Sequence, residues 1–213
     1  MTRDEAVDYI KMQLGFRTDQ TANIISNLKL AQITLEGEPT LPWFMMSDLT
    51  TLTTVADTAT LSIPGGFLRE EEDVKLTYFP EPDAENPTPV QLRKDDYDLL
   101  ARLYAAEDTG PPVAFALLKD QFHFFPTPDD AYTIKLYYLI EQTTLDTNVE
   151  NNWLRYTPLL VMGMAGKYMS SALRDDRAAA VFSDWENRGR LMLNNRNESR
   201  MHAARSYQIG GPH

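Results

Sequence analysis

Near the start of the chain apolar positions recur at steps of three and four: Val7, Ile10 and Leu14, then Ala22, Ile25, Leu28 and Leu35, with the amide Gln32 on the second stripe. That is the period of a helix with one buried face. Thr2, followed three residues later by Glu5, forms a capping box, and Gly15 is a natural stop, so a first helix is predicted over 3–14. A second starts after Thr18 or Asp19 and ends near Gly37, before the breaks at Pro39 and Pro42.

The helical period returns over residues 152–193. Asn152-Trp153-Leu154-Arg155-Tyr156 leads to Thr157, which can cap free backbone N–H groups, and Pro158, which suits a first helical turn. Leu159, Met162, Ala165 and Met169 then share a face, while Gly163 and Gly166 leave room for another backbone. A further helix begins at Asp175 with Ala178, Val181, Phe182, Trp185, Met192 and Leu193 along one stripe, Gly189 standing as a gap.

Between these helical ends the period drops to two. Ala59, Leu61 and Ile63 alternate with Thr60 and Ser62, and Val74, Leu76 and Tyr78 with Lys75 and Thr77. Pro64-Gly65-Gly66 is a turn, and residues 80–89, with four prolines, form a loop. Asp95-Asp96 caps a short helix whose face is Tyr97, Leu100, Ala101 and Tyr104, ending before Gly110-Pro111-Pro112. Residues 113–118, 121–125 and 131–140 read as three strands, joined closely enough to pair antiparallel. The pattern predicts an α+β protein. Residues 1–40 and 150–195 form a four-helix bundle, 41–149 an inserted antiparallel β domain with a short helix near 95–104, and 196–213 an extended C-terminal tail.

Charge adds one feature to this plan. The formal net charge is −11, which argues against general nucleic-acid binding. Residues 187–213 nevertheless carry five arginines (188, 190, 196, 200 and 205) against Glu198, a net of +4, leaving −15 on the rest. A basic end on an acidic body suits docking onto an acidic partner. Within it, Arg196, Arg200, Arg205, Tyr207 and Ile209 are residue types favoured at interfaces and show no periodicity, so this segment is expected to order on binding. The chain has no cysteine, which excludes disulfides and thiolate metal sites and fits a reducing cytoplasm. No apolar run spans a bilayer, and residues 1–5 lack a signal-peptide pattern, so neither a membrane span nor export is expected.

The search for catalytic chemistry returns capping residues. The acidic runs at 70–73, 95–96, 129–130 and 175–176 each follow a turn or open a helix, where carboxylates satisfy free N–H groups. A hydrolase built on Asp95 or Asp129 would need a second group converging on the same cavity, and none is visible nearby. His123 alternates with Phe122 and Phe124 in a strand and has no companion ligand, so it is read as structural, and no metal or cofactor is expected. Nucleotide, hydrolase and zinc-protease fingerprints are absent from the sequence. Trp43, Trp153 and Trp185 sit at helix boundaries and are read as seam packing.

Several blocks then align in order. They are Ala31-Gln32 with Leu35-Glu36, Leu41-Pro42-Trp43-Phe44, Ile63 through Gly65-Gly66 to Phe67-Leu68-Arg69, and Lys94-Asp95-Asp96-Tyr97. Gly110-Pro111-Pro112, Phe124-Phe125-Pro126-Thr127-Pro128-Asp129 with Ala131-Tyr132-Thr133, Asn152-Trp153-Leu154 through Pro158 to Gly163, and Leu173-Arg174-Asp175 complete the series. In this order the chain resembles the head-to-tail adaptor, or connector, proteins of tailed bacteriophages, related to the tail tubular and gatekeeper adaptors of short-tailed phages. Gly65 and Gly66 stand where that family commonly has a proline and an acidic residue.

The resemblance implies a virion structural protein of the head-tail neck, assembled in the host cytoplasm as a ring, typically of twelve copies, beneath the portal protein. It implies tail or nozzle proteins as further partners, no catalytic residues and no cofactor. It also gives the basic segment with Arg196, Arg200, Arg205, Tyr207 and Ile209 a partner, the portal. Genomic DNA would pass through the channel without specific binding, which an acidic wall favours because like charge repels phosphate. Another neck or tail-completion protein, such as a stopper, terminator or tail tube component, is the alternative.

Overall fold

The computed structural model describes residues 1–46, 50–70, 77–78, 90–105, 107–145 and 148–209, with side chains as far as 198 and not at 77 and 78. It is an α+β protein. Its helices are α1 (Arg3–Gln13), α2 (Thr21–Glu36), α3 (Tyr97–Leu103), α4 (Asn152–Tyr156), α5 (Pro158–Leu173) and α6 (Asp176–Ile209). The chain divides into two compact units, Met1–Met45 with Glu141–His213, and Met46–Ile140.

In the first unit α1 opens as its sequence dictates. The Thr2 side chain accepts from the Glu5 backbone N–H, and the Glu5 carboxylate accepts from Thr2 N at 2.8 Å. Ala6, Val7 and Ile10 face inward, and the chain leaves through left-handed residues at Gly15 and Phe16. The buried face of α2 is Ile24, Leu28, Ala31, Gln32, Leu35 and Glu36. That is rotated from the expected stripe: Ala22 is exposed and Ile25 half-buried, while Ile24 and Ala31 are buried on a helix that packs against α5 and α1.

The centre of this unit is α5. Leu160 through Gly166 are buried without interruption, two turns of helix covered on every side. α6 packs along one flank, while α2, α1 and α4 also pack on α5. The close approach depends on glycine. A Cβ on Gly163 would stand 2.4 Å from the backbone N of Glu186, and one on Gly189 would stand 2.4 Å from that of Leu160. At Gly166 the space is filled by the Phe182 ring. Thr157 does not cap α5 as expected. Its hydroxyl donates instead to the Trp153 carbonyl at 2.9 Å, continuing the end of α4, while Pro158 does occupy the first turn. Arg174 turns the hairpin in the left-handed region, and Asp175 then caps α6 by accepting from Ala178 N at 3.0 Å.

Among the described residues the second unit contains ten short strands: β1 (Thr50–Thr53), β2 (Thr60–Ser62), β3 (Phe67–Glu70), β4 (Thr77–Tyr78), β5 (Val90–Gln91), β6 (Arg93–Lys94), β7 (Ala114–Leu118), β8 (Gln121–Phe125), β9 (Thr133–Leu136) and β10 (Tyr138–Ile140). Two four-stranded sheets run β1-β9-β4-β5 and β2-β8-β7-β6, and β10 pairs with β3. Pairing is antiparallel except between β6 and β7. Phe115, Phe122, Phe124, Ile134, Leu136 and Tyr138 make the core, and α3 seats Leu100 against Ala114 and Ala116. The single strand expected over 131–140 is two, broken at the exposed Tyr137 and shared between different sheets. Of the strand expected over 74–78, Thr77 and Tyr78 form β4; Val74 to Leu76 and the loop at 80–89 lie outside the described residues.

Candidate functional site

The basic end of the chain is helical. The extended tail expected from Arg196 onward is instead the continuation of α6, which runs 34 residues from Asp176 to Ile209, about 50 Å at 1.5 Å per residue. The reason is local: no proline interrupts it, Gly189 is held against Leu160, and the first strong breakers after it are Gly210-Gly211-Pro212. Positions 196, 200 and 207 recur on one side of such a helix, and 205 and 209 on the other.

Polar contacts add to the glycine packing in seating α6 as far as Arg196. Glu186 accepts from Lys167 on α5 and from Arg190 at 3.3 Å, and Arg190 also reaches Glu38 beyond α2 at 2.9 Å. Burial opposes the charge of Glu186, but these two cations more than offset it and hold the carboxyl below the usual range. Arg196 donates to the Tyr156 carbonyl at 2.6 Å. Thus Arg196 is an anchoring contact on the helical unit as well as part of the basic segment. The side chains of Arg200, Arg205, Tyr207 and Ile209 lie outside the described residues.

Tyr156 belongs to an aromatic group at the same end of α4. Its ring stacks on Phe44 at 5.2 Å and meets the half-buried Trp43 edge-on at 4.9 Å, and Phe44 meets Trp153 at 5.1 Å. Trp153 is fully buried, and its indole N–H donates to Glu36 Oε1 at 3.0 Å. Gln32 donates to that same oxygen at 2.9 Å and to the Gln142 carbonyl at 3.0 Å, while its own oxygen accepts from Leu145 N at 3.1 Å. Asn151 donates to the Thr143 carbonyl at 2.5 Å. Segment 142–145 therefore returns to the helical unit on side-chain hydrogen bonds, which is why that unit resumes at Glu141 and not at 150.

This network went unread in the sequence. Its visible trace was an amide at a core position, Gln32, with Glu36 one turn on.

Residues weighed for chemistry have structural duties. Asp96 caps α3 through Asp98 N at 2.9 Å, Asp95 pairs with Arg93, and Asp129 accepts from the Tyr132 hydroxyl at 2.6 Å. His123 lies edge-on to Tyr97 at 5.0 Å, and burial pushes its imidazole below the ordinary value. Phe122 and Phe124 point into the core beside it, as the alternation predicted. Among the described residues no cluster of three or more His, Cys, Asp or Glu could hold a metal ion, and no helix is long and apolar enough to cross a membrane. What the arrangement offers is surface for recognition: a long helix, firmly seated for half its length and basic beyond.

The family model for the SU10 adaptor protein matches residues 1–208. The chain belongs to the SU10 adaptor protein family. Among curated proteins none matches it. The match makes the chain a structural adaptor of a bacteriophage virion neck, and it spans both units together with nearly all of α6. Motifs that carried the resemblance acquire physical meaning in this adaptor: Gln32, Glu36, Phe44 and Trp153 are the linked residues of the buried network, and Gly163 is a point of backbone contact.

Proposed function

We propose that this adaptor assembles as a ring, of twelve copies, beneath the portal protein, joining capsid to tail and continuing the channel through which genomic DNA passes. The helices α1, α2, α5 and α6 make the four-helix body of the ring, with the β unit inserted between α2 and α4. The C-terminal part of α6, with Arg196, Arg200, Arg205, Tyr207 and Ile209, docks on the portal, and other surfaces meet tail or nozzle proteins. The observation that carries this reading is the family match over residues 1–208. The concentration of +4 on residues 187–213 of a chain whose net charge is −11 supports it. Acidic residues lining the channel keep DNA from adhering, and no catalytic role or cofactor is proposed.

Light scattering of the protein with and without the matching portal ring tests the reading. The expected result is a complex with one copy per portal subunit. A stoichiometry that breaks the portal's symmetry would reassign the protein as a stopper, terminator or tail tube component.

A further inference from the structure

The outer face of α2 carries no acid, and its nearest charge is the half-buried Lys29 at its edge. Its exposed positions are Ala22, Asn23, Ser26, Leu30, Ile33 and Thr34, and they fall on one side of the helix. Leu30 and Ile33 are 47% and 54% exposed, in a chain that is 24% charged. Beside it α1 exposes Tyr9 and Met12, three residues apart, with Glu5 and Asp8 also exposed on that side, and Phe16 is exposed in the turn that follows. Depletion of charge around exposed large apolar side chains marks the centre of an interface. On α6, Leu191 and Met192 are 62% and 52% exposed among Asn187, Asn194 and Asn195, with Arg188 and Arg196 at the flanks.

These two faces belong to different flanks of the helical unit. The unbroken burial of Leu160 through Gly166 places helices on all sides of α5, and among the described residues α6 makes no extensive contact with α1 or α2. We infer that a second copy of this chain occupies the α2 face, seating its α6 through Leu191 and Met192 on Leu30 and Ile33. Two considerations select a second copy. Each copy is strongly acidic, so copies approach one another most readily where acids are missing, as on α2. Arg188, 67% exposed beside Leu191, complements the acidic remainder of the neighbour, including Asp8, whose side chain pairs with Lys11 and is 74% exposed on the adjoining α1. Because the two faces differ, the contact is head-to-tail and repeats from copy to copy, the kind of contact that the proposed ring requires. The inference rests on the ring proposed above and names its subunit contact.

The absence of cysteine makes the test direct. Full-length Ile33→Cys and Met192→Cys proteins are prepared singly, mixed in the presence of the portal ring, and treated with a short bis-maleimide, which tolerates wider spacing than a disulfide. The expected product is a linked pair in the mixture and in neither variant alone, with a ladder of linked chains from the double variant. The Leu30→Asp protein, changed only at an exposed position, should lose the ladder when the two cysteines are placed in it while keeping its helical spectrum. Assembly on the portal without Ile33–Met192 linkage, or linkage of Ile33→Cys to itself, overturns the contact and leaves the ring standing. No assembly of any kind on the portal overturns the ring, and this contact with it.

Discussion

The indole N–H of Trp153 donates to Glu36 Oε1 at 3.0 Å, joining residues 117 apart in sequence. The same carboxylate oxygen accepts from Gln32, so both of its side-chain donors are neutral. A carboxylate in such a place is held by geometry alone. Burial raises its proton affinity above the ordinary value, Gln32 and Trp153 pull the other way, and nearby Glu141 adds to the rise.

Glu36 should therefore make stability fall as pH rises. Below its unfolded value of 4.5 the group is protonated in both states and carries no penalty. Between 4.5 and the higher folded value the penalty grows, and above the folded value it is complete. Glu36→Gln keeps an oxygen acceptor for both donors without the charge. It should be more stable than the parent at neutral pH, the two converging in acid. Glu36→Leu should lose about 1–3 kcal/mol, since it leaves the Trp153 N–H buried and unpaired. Urea unfolding of the three proteins across pH reads both effects.

Glycine at the α5–α6 contact is a packing requirement. Gly163→Ala and Gly189→Ala each put a methyl group against backbone that cannot yield without separating the helices, and each should cost about 3 kcal/mol or somewhat more. Gly65→Ala is the control. Nothing lies within 4 Å of its Cβ position, and loss of unfolded-state freedom should leave stability unchanged or raised by roughly 0.5 kcal/mol. Equal losses at all three positions would show that glycine is required for a reason other than space.

What could be read from sequence was whatever depends on local pattern. Thr2 and Glu5 state their own capping box, Asp175 its helix start, and Gly163 its close neighbour. Features set by distant partners were hidden. The buried face of α2, with Ile24 and Ala31, was set by the helices packed on it, and Tyr137 split a strand because its two halves pair in different sheets. The basic segment was misread for a third reason: absence of an apolar stripe was taken for absence of helix, although a helix with no buried face has no stripe to show. The charge on that segment was plain from composition, whereas the seat of Arg196 on Tyr156 needed the fold.

Removing residues 199–213 should separate docking from folding. The contacts that seat α6, at Gly189, Arg190 and Arg196, all precede the cut, so thermal unfolding should be unchanged to within about 1 kcal/mol while portal binding is lost. Binding by the full chain should weaken as salt rises, since the attraction runs between exposed charges. Asp95→Asn and Asp129→Asn, which touch only a surface pair and a surface hydrogen bond, should alter neither property. Retention of portal binding by the shortened chain would move the docking surface elsewhere.

Proline at position 203 distinguishes a helix from an extended tail in the free protein. Ala203 lies well inside α6, six residues before its end at Ile209, where proline removes a backbone donor and clashes with the preceding turn at a cost of about 3 kcal/mol. If the segment is helical before it meets the portal, Ala203→Pro should lower the far-UV helical signal by a few residues' worth and leave the unfolding midpoint alone, because no seating contact lies beyond Arg196 among the described residues. The same substitution in an extended tail would leave the spectrum unchanged. The two outcomes also predict different binding. A preformed helix presents its basic positions already ordered, so breaking it should weaken portal binding by adding the entropy of ordering, whereas a tail that folds only on the portal without helix should bind the Ala203→Pro protein as well as the parent.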